Sequence, residues 1–352
     1  MQGSLERVRR VMAGEKPDRA PLFDLLPNDA VLRHFNGGAL VAVGDDETGC
    51  RAIAEAIDGS RQAQYSPAEA RREHLPGGGE TRVERWTAWE ATKSYSSSEE
   101  YREVKEREIA ERRRSVSEPI RTGENEYYLG LREVRSWFGD DFYFLLGCPS
   151  PALMGIWWEV GLEEFSYYLY DCEEVIVEQL ELNTEHACRW IEGLPADDPF
   201  EAVFIGEDIA FKTGPMMRVE WLEREYFPRL AKVIEALHAR GKKVMFHSDG
   251  NLNAIMDGLV GAGSDALNPV EVMAGMDLAD LHRRYPRLVF AGGIDVSHLL
   301  PFGTPQQVRD AVVKAIEDTE GQILVGSSTE VLDAVPLGNF LAMREAAMGY
   351  EF

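Results

Sequence analysis

Basic side chains are scarce in this sequence of 352 residues. Lysine and arginine number 37 together, against 61 aspartates and glutamates, which gives a net charge of −24. Nucleic-acid binding and docking on an anionic membrane surface both need patches of lysine and arginine. The composition therefore argues against both kinds of partner. Hydrophobic residues make up 44% of the chain, which is ordinary for a globular protein.

Long apolar runs and paired cysteines are also missing. No stretch approaches the roughly 18 consecutive apolar residues of a membrane span, and residues 1–10 lack the apolar region of a signal peptide. The four cysteines, Cys50, Cys148, Cys172 and Cys188, show no Cys-x-x-Cys spacing. Neither a disulfide framework nor a zinc ribbon is indicated. We predict a cytoplasmic protein with reduced thiols.

Short apolar runs alternate with helical patterns, most clearly in the second half of the chain. Runs such as residues 202–205 and 244–246 are continuous, which is typical of strands buried on both faces of a parallel sheet. Thr304, Pro305 and Gln307 have the pattern of a capping box at a helix start. A doubly wound sheet is the rival fold, but no Gly-x-Gly-x-x-Gly follows a strand.

The strand pattern predicts a single (β/α)8 TIM barrel of the α/β class over residues 1–352. Eight strand starts support it: Pro21, Arg82, Phe142, Ala202, Val244, Ala266, Leu288 and Ile323. Residues 1–18 are expected to add an N-terminal helix. Residues 75–140 are expected to form an insertion with a strand pair over 82–95 and a charged, solvent-facing helix over 99–115.

Acidic residues follow six of the eight predicted strands, at the end where a TIM barrel holds its active site. They are Asp24, Glu207 with Asp208, Asp249, Glu271, Asp295 and Glu330. Carboxylates that converge on a confined mouth raise each other's pKa unless a metal, a cationic substrate or shared protons offset the charge. We predict catalytic roles for Asp24, Glu207 and Asp249, with Glu207 rather than Asp208 facing the mouth. Asp295 is expected to cap the following helix.

The segment His247-Ser248-Asp249 is the strongest single candidate for a site. Residues i and i+2 of a strand point to the same face, so the imidazole and the carboxylate converge on one point. They would serve as two metal ligands or as a base with the group that orients it. Zinc accepts both donors, whereas harder metals prefer the carboxylates. A purely structural hydrogen bond between His247 and a carboxylate is the alternative.

Substrate contacts are predicted at Asn268 and Glu271, which follow the sixth strand, and at Trp157. Trp157 belongs to a set that could line an aromatic or quaternary-ammonium pocket through cation–π contacts, although core packing explains the set equally well: Trp86, Trp89, Trp157 and Trp158. A Schiff-base enzyme needs a lysine at the barrel mouth, and Lys212 is the one lysine near a strand carboxyl end. Schiff-base chemistry is therefore weakly supported.

Six segments resemble the uroporphyrinogen decarboxylase superfamily. They are residues 7–21, 214–217, 247–251, 266–271, 292–295 and 300–305. The likeness covers both ends of the chain, whereas residues 35–200 diverge. As a set these motifs are specific to the superfamily but not to one activity. The resemblance implies a TIM barrel, in agreement with the strand count.

The two known branches of that superfamily imply different chemistry. True uroporphyrinogen decarboxylases need no cofactor and carry Arg-Gln-Ala-Gly-Arg and Gly-His-Gly motifs, where this chain reads Phe-Asp-Leu-Leu-Pro-Asn over 23–28 and Gly-Ser-Ser-Thr-Glu over 326–330. Corrinoid-dependent methyltransferases hold zinc with His-x-Cys on the fifth strand and a cysteine near the eighth. His247 matches, while Asp249 and Ser328 or Thr329 replace the cysteines. The resemblance then implies a harder site of His247 and Asp249 with Glu207 or Glu330.

Three functions follow from the resemblance. The first is a metal-dependent methyltransferase, with zinc as the expected metal, that moves methyl from a small methoxy or methylamine-type donor to a separate corrinoid protein. The second is a decarboxylase or lyase in which Asp24 or Asp249 steers a proton. The third is a barrel that binds a small molecule without catalysis. A homodimer is the assembly expected by frequency alone.

Overall fold

The computed structural model describes residues 2–61, 64–74, 80–89, 92–115 and 120–352, and it confirms the predicted barrel. Eight parallel strand positions follow one another around a closed ring. In order they are Leu22 with Phe23, Gly59–Ser60, Tyr143–Phe144 continued by Leu146–Gly147, Ala202–Gly206, Lys243–His247, Ala266–Val270, Val289–Ile294 and Ile323–Ser327. Each pair of neighbours is hydrogen-bonded in parallel.

The ring closes at its first position through two short bridges. Leu22 pairs with Val325 of the eighth strand, and Phe23 pairs with Gly59 of the second. The Phe23 amide donates to the Val325 carbonyl over 2.9 Å. Because both neighbours are parallel to this segment, all eight carboxyl ends lie on one rim, as a TIM barrel requires.

Helices surround this ring and fill the connections between strands. Their bounds are Ser4–Met12, Asp29–Phe35, Asp46–Ala56, Ser98–Ser115, Glu126–Phe138, Leu153–Val160, Leu162–Asp171, Glu173–Glu192, Val219–Trp221, Phe227–Ala239, Met256–Gly261, Leu278–Arg284, Leu299–Phe302, Pro305–Asp318 and Leu337–Gly349. A π-helical turn, Leu222–Tyr226, joins two of them, and short 3-10 turns lie at Thr122–Glu124 and Val272–Ala274. The capping box predicted at Thr304 is present. No helix in the described ranges is both long and apolar enough to cross a membrane.

The second barrel strand is Gly59–Ser60, so the prediction of a barrel strand at Arg82 is wrong. Arg82 lies in a three-stranded antiparallel sheet outside the ring, whose strands are Arg71–His74, Glu80–Val83 and Ala88–Trp89. The second barrel strand could not be predicted because its two residues, Gly59–Ser60, are too few to show a periodic pattern. Glycine is required at 59 because a Cβ there would lie 2.7 Å from the Tyr143 carbonyl oxygen.

The charged helix Ser98–Ser115 buries one stripe, contrary to the prediction that it faces solvent. Tyr101, Lys105 and Ile109, spaced by four residues, are all buried. The Lys105 ammonium donates to both carboxylate oxygens of Glu159, over 2.8 and 2.7 Å. Because its charge is paired, lysine can occupy an inward position that a hydrophobicity pattern does not reveal.

The N-terminal helix Ser4–Met12 covers the amino end of the barrel. Val8, Val11 and Met12 belong to one buried cluster with residues from seven barrel strands, among them Met245 and Leu324. This cluster fills the barrel interior from below. The carboxyl end of the ring is therefore the end that remains for a site.

Asp58 fixes this helix to the first two barrel strands. Its side chain is almost fully buried, and it accepts hydrogen bonds from the Ser4 hydroxyl, from the Arg7 and Arg19 guanidinium groups, and from the Leu22 amide. A buried carboxylate is tolerable only when it is paired and fully hydrogen-bonded. Asp58 meets that condition with partners from three separate segments.

We expect Asp58→Ala to lower the free energy of unfolding by about 3 kcal/mol or more, because it removes the carboxylate paired with Arg19 and one of the two carboxylates paired with the buried Arg7, whose other partner is Asp18. Urea denaturation followed by circular dichroism measures the change. Glu201→Gln is the control, since it breaks the exposed Arg9–Glu201 pair and should cost less than about 1 kcal/mol. Equal losses in the two variants would contradict the role assigned to Asp58.

Candidate metal centre

Asp208, His247 and Asp249 form a cluster at the carboxyl rim of the barrel. One ligand atom from each lies within 4.8 Å of the others. His247 Nε2 is 3.7 Å from Asp208 Oδ1, and the Asp249 amide donates to Asp208 Oδ1 over 3.0 Å. Thr329 donates its hydroxyl hydrogen to Asp249, 3.0 Å from Oδ1. The cluster thus lies at the carboxyl ends of strands four and five, and a residue that follows strand eight donates a hydrogen bond to it.

Strand register explains why these side chains meet. His247 pairs with Gly206 on the fourth strand and with Asn268 on the sixth. Paired residues of a parallel sheet project to the same face, so His247 and Asn268 both point into the barrel mouth. Asp208 and Asp249 each lie two residues beyond a member of this row, where the chain leaves the sheet.

The tautomer of His247 follows from its contact with Asn268. The side-chain oxygen of Asn268 lies 2.9 Å from His247 Nδ1 and accepts a hydrogen bond from Arg61 Nε over 3.3 Å. Arginine has no acceptor, so the shared atom of Asn268 is its oxygen, and Nδ1 of His247 must carry a hydrogen. Nε2 then offers its lone pair towards Asp208. This is how proteins orient a histidine that ligates a metal.

The electrostatics of the cluster favour a neutral histidine and crowded carboxylates. Burial, together with the Arg61 charge, holds the pKa of His247 well below its usual value. Burial and the neighbouring Asp208 charge raise the pKa of Asp249 to about 7. Burial also raises the pKa of Asp208. A bound divalent cation would lower the pKa of both carboxylates, because it stabilises them in their ionised form.

Glu207 lies outside the cluster and caps a helix instead. It is fully buried, and it accepts hydrogen bonds from the Ser150 hydroxyl over 2.6 Å and from the amides of Ala152 and Met154 over 2.7 and 2.8 Å. The helix Leu153–Val160 has no cap from its own Ala152 side chain. The structure therefore brings Asp208, and not Glu207, beside His247.

Asp24 and Asp295 bind backbone amides at the same rim. Asp24 is buried, and it accepts hydrogen bonds from the Ser327 amide and hydroxyl over 2.6 and 2.8 Å. Its burial raises its pKa to about 7. Asp295 accepts from the amides of Ser297 and Leu299, which is the capping position expected for it.

The remaining predicted residues surround the cluster. Glu271 accepts a hydrogen bond from the Gly250 amide over 2.9 Å and lies 3.4 Å from the Lys212 ammonium. Trp157 donates its indole hydrogen to the Asp208 carbonyl over 3.0 Å. Burial raises the pKa of Glu330, while the Arg61 charge lowers it. A cavity of about 390 Å³ opens beside Asp249, with Glu271, Ser328 and Thr329 in its wall.

Sequence reasoning missed two groups at the mouth, Arg61 and Phe204. Arg61 follows the two-residue second strand, which shows no sequence pattern, so the predicted strand ends do not include it. Its guanidinium lies 4.4 Å from the centre of the Phe204 ring. The Phe204 ring in turn lies 5.2 Å from the imidazole of His247. If the second strand had been located at Gly59–Ser60, Arg61 would have been predicted at the carboxyl rim.

Comparison with known proteins identifies the family. Residues 161–350 match the uroporphyrinogen decarboxylase (URO-D) family, and the chain belongs to it. A methyltransferase from Methanosarcina mazei has a similar fold, with a TM-score of 0.64, 14% identity and 99% of each chain covered. A B12-independent methionine synthase from Shewanella sp. aligns at a TM-score of 0.42 and 12% identity over 80% of this chain and 75% of that one. No curated protein sequence matches.

The raised pKa of Asp24 predicts a pH dependence of stability. Its pKa of about 7 in the folded protein exceeds the usual value of 3.8, so the folded state holds a proton that the unfolded state has lost between these values. The free energy of unfolding should therefore fall as pH rises from about 4 to 7. Asp24→Asn should flatten this slope by up to about 1.4 kcal/mol per pH unit.

Chemical denaturation from pH 4 to 8, in the presence of a chelator, measures the free energy of unfolding against pH for the wild type and for Asp24→Asn. Asp249 also has a raised pKa, so part of the slope should remain in the variant. Only the slopes are compared, because the new amide changes the hydrogen bonds from Ser327 at every pH. Parallel curves for the two proteins would show that Asp24 is ionised throughout.

Proposed function

We propose that this protein is a metal-dependent methyltransferase that moves a methyl group from a small methoxy or methylamine-type donor to a separate corrinoid protein. The observation that carries the proposal is the Asp208–His247–Asp249 cluster at the carboxyl rim of a URO-D family barrel. The likeness of the fold to a Methanosarcina mazei methyltransferase is in keeping with it.

The donor set fits a divalent cation with borderline or hard character. His247 offers one neutral imidazole nitrogen, and Asp208 and Asp249 offer carboxylate oxygens at distances that one ion can span. Zinc accepts this mixture, and zinc is the ion we propose. Asp208 takes the place that the sequence analysis gave to Glu207. Glu330 is retained as a further candidate ligand.

The residues of the chain would position a donor against this centre. When bound, the cation supplies a Lewis acid that polarises the oxygen or nitrogen from which the methyl group leaves. Asn268 holds the imidazole ring in place, and Thr329 holds the Asp249 carboxylate. The cavity of about 390 Å³ beside Asp249 gives room for a small donor.

The proposed methyl acceptor is a corrinoid bound to a separate partner protein. The sequence has no His-x-x-x-Asp-x-x-His-type corrinoid segment, and in this proposal the corrinoid is carried by another protein. The N-terminal helix covers the opposite end of the barrel. The partner would therefore dock at the carboxyl rim, and a cytoplasmic location would suit such an encounter.

Metal content is the first test of this proposal. We expect purified protein dialysed against zinc to retain about one equivalent, and His247→Ala and Asp208→Asn to lose at least 90% of it, because a ligated histidine and a ligated carboxylate are each removed. Elemental analysis by plasma mass spectrometry measures the content. Glu207→Gln is the matched variant at the neighbouring position and should keep its metal. Metal loss in Glu207→Gln alone would restore Glu207 to the ligand set.

Methyl transfer is the second test. Zinc-loaded protein should convert cob(I)alamin to methylcobalamin with one member of a panel of methyl ethers and methylamines, which the absorbance change of the corrinoid reports. His247→Ala and chelated wild type should be at least about 100-fold slower, the range that loss of a Lewis acid or positioned acid gives. Inactivity with every donor would count against the proposal.

A decarboxylase or lyase is the second candidate, and one observation favours it. Asp24 and Asp249 both have a pKa of about 7, so each can give or take a proton near neutral pH. A carboxylated substrate would then lose carbon dioxide with proton delivery from one of these groups. Activity on such a substrate that survives complete chelation would favour this candidate over methyl transfer.

A further inference from the structure

Arg61 is a cation placed among the acidic residues of the mouth. It follows the second barrel strand directly and is only partly exposed. The carboxylates of Asp24, Asp208, Asp249 and Glu330 all act on its charge. Even so, within the described part of the chain no carboxylate oxygen lies within 4.0 Å of its nitrogens. The guanidinium is therefore surrounded by acids but is not paired with any of them.

Two contacts hold the guanidinium in a fixed orientation. Its Nε donates to the Asn268 side-chain oxygen over 3.3 Å, and one face lies over the Phe204 ring at 4.4 Å. The hydrogen bond to Asn268 uses Nε and leaves the hydrogens of the two terminal nitrogens available. Arginine held in this manner presents a rigid fork that matches the two oxygens of a carboxylate. The same Asn268 oxygen binds His247, so the fork lies next to the metal cluster.

The charge balance at the mouth changes when a cation binds. A divalent ion between Asp208 and Asp249 would neutralise the two carboxylates that otherwise help to balance Arg61. Asp24 is already engaged by the Ser327 amide and hydroxyl. The nearby ammonium of Lys212 is occupied by Glu271 at 3.4 Å. Glu330 is the carboxylate of this set that remains to balance Arg61, and among the described residues its oxygens lie beyond 4.0 Å from the guanidinium nitrogens. The terminal nitrogens of Arg61 would therefore be open to a carboxylate of the donor.

The aromatic surface at the site also argues against a cationic donor. Phe204 is the ring beside His247, and the Arg61 guanidinium already lies over it. A quaternary ammonium donor would have to displace this guanidinium to gain a cation–π contact. The site is thus better prepared for an anion than for an ammonium group.

We propose that Arg61 binds the carboxylate of the methyl donor, so that the substrate class is a methoxy-substituted carboxylic acid and not a methylammonium compound. The inference rests on the proposed function for the methyl group, and it adds the second anchor of the substrate. The methoxy oxygen would face the metal cluster, and the carboxylate would face Arg61.

Binding measurements test this inference without any turnover. Isothermal titration of zinc-loaded protein is performed with 4-methoxybenzoate, 4-methoxybenzamide and 4-methoxybenzamidine, which share a shape and differ in charge, and with methoxyacetate and methoxyacetamide as a smaller pair. We expect at least one carboxylate to bind ten-fold or more tightly than its amide, and the amidine to bind most weakly in its series. Tighter binding of the amidine, or no binding of either carboxylate, would overturn the inference.

Variants of Arg61 show whether this side chain is responsible. Arg61→Gln should abolish the preference for the carboxylate while metal content stays unchanged, and Arg61→Lys should keep a reduced preference because it retains the charge without the fork. Lys212→Gln, which removes a second cation near the rim, should leave the preference intact. A preference that persists in Arg61→Gln rejects the assignment. If that variant does not fold, Arg61→Lys and the wild-type comparison still decide.

The failure of this inference can be told apart from failure of the proposed function. A carboxylate preference that depends on Arg61, without methylcobalamin formation from any donor, would support the ligand class and reject the methyl transfer. Efficient methyl transfer from a methylammonium donor, with no faster transfer from anionic methyl ethers, would support the reaction and reject the role of Arg61.

Discussion

One amide oxygen organises the mouth of this barrel. The side-chain oxygen of Asn268 binds the Nδ1 hydrogen of His247 and the Nε hydrogen of Arg61, so a neutral ligand and a permanent cation are held by the same atom. Asn268 can do this because it pairs with His247 across adjacent parallel strands. The protonation state of the imidazole, the direction of its lone pair and the placement of the guanidinium all depend on that contact.

Adjacent carboxylates at the end of the fourth strand have separate tasks. Glu207 turns outward to the amides that open the helix Leu153–Val160, whereas Asp208 turns to His247. Both groups are removed from bulk water, and burial raises the pKa of each. Glu207 has several amide and hydroxyl hydrogens to offset that cost. Asp208 has fewer partners and faces other acids, which is the condition that a metal ion relieves.

Sequence patterns predicted the parts of this protein that depend on regular spacing. The strands from residue 202 onward, the capping box at Thr304 and the convergence of His247 with Asp249 all follow from periodicity. The second strand could not be found because two residues show no period, and Arg61 was missed with it. The choice between Glu207 and Asp208 depends on how the chain turns after the last sheet hydrogen bond, which no local pattern fixes.

The N-terminal helix Ser4–Met12, which covers the amino end of the barrel, has a kinetic consequence for the proposed reaction. Val8, Val11 and Met12 pack into the amino end of the barrel, and Asp58 holds this helix in position through hydrogen bonds from Arg7 and Arg19. Under the proposed function, a small donor and an acceptor protein would both approach the site from the carboxyl rim. In the proposed reaction the donor would have to bind before the acceptor protein covers the carboxyl rim, and its demethylated product could leave only after the acceptor dissociates. The proposed reaction would then follow a compulsory order of binding and release.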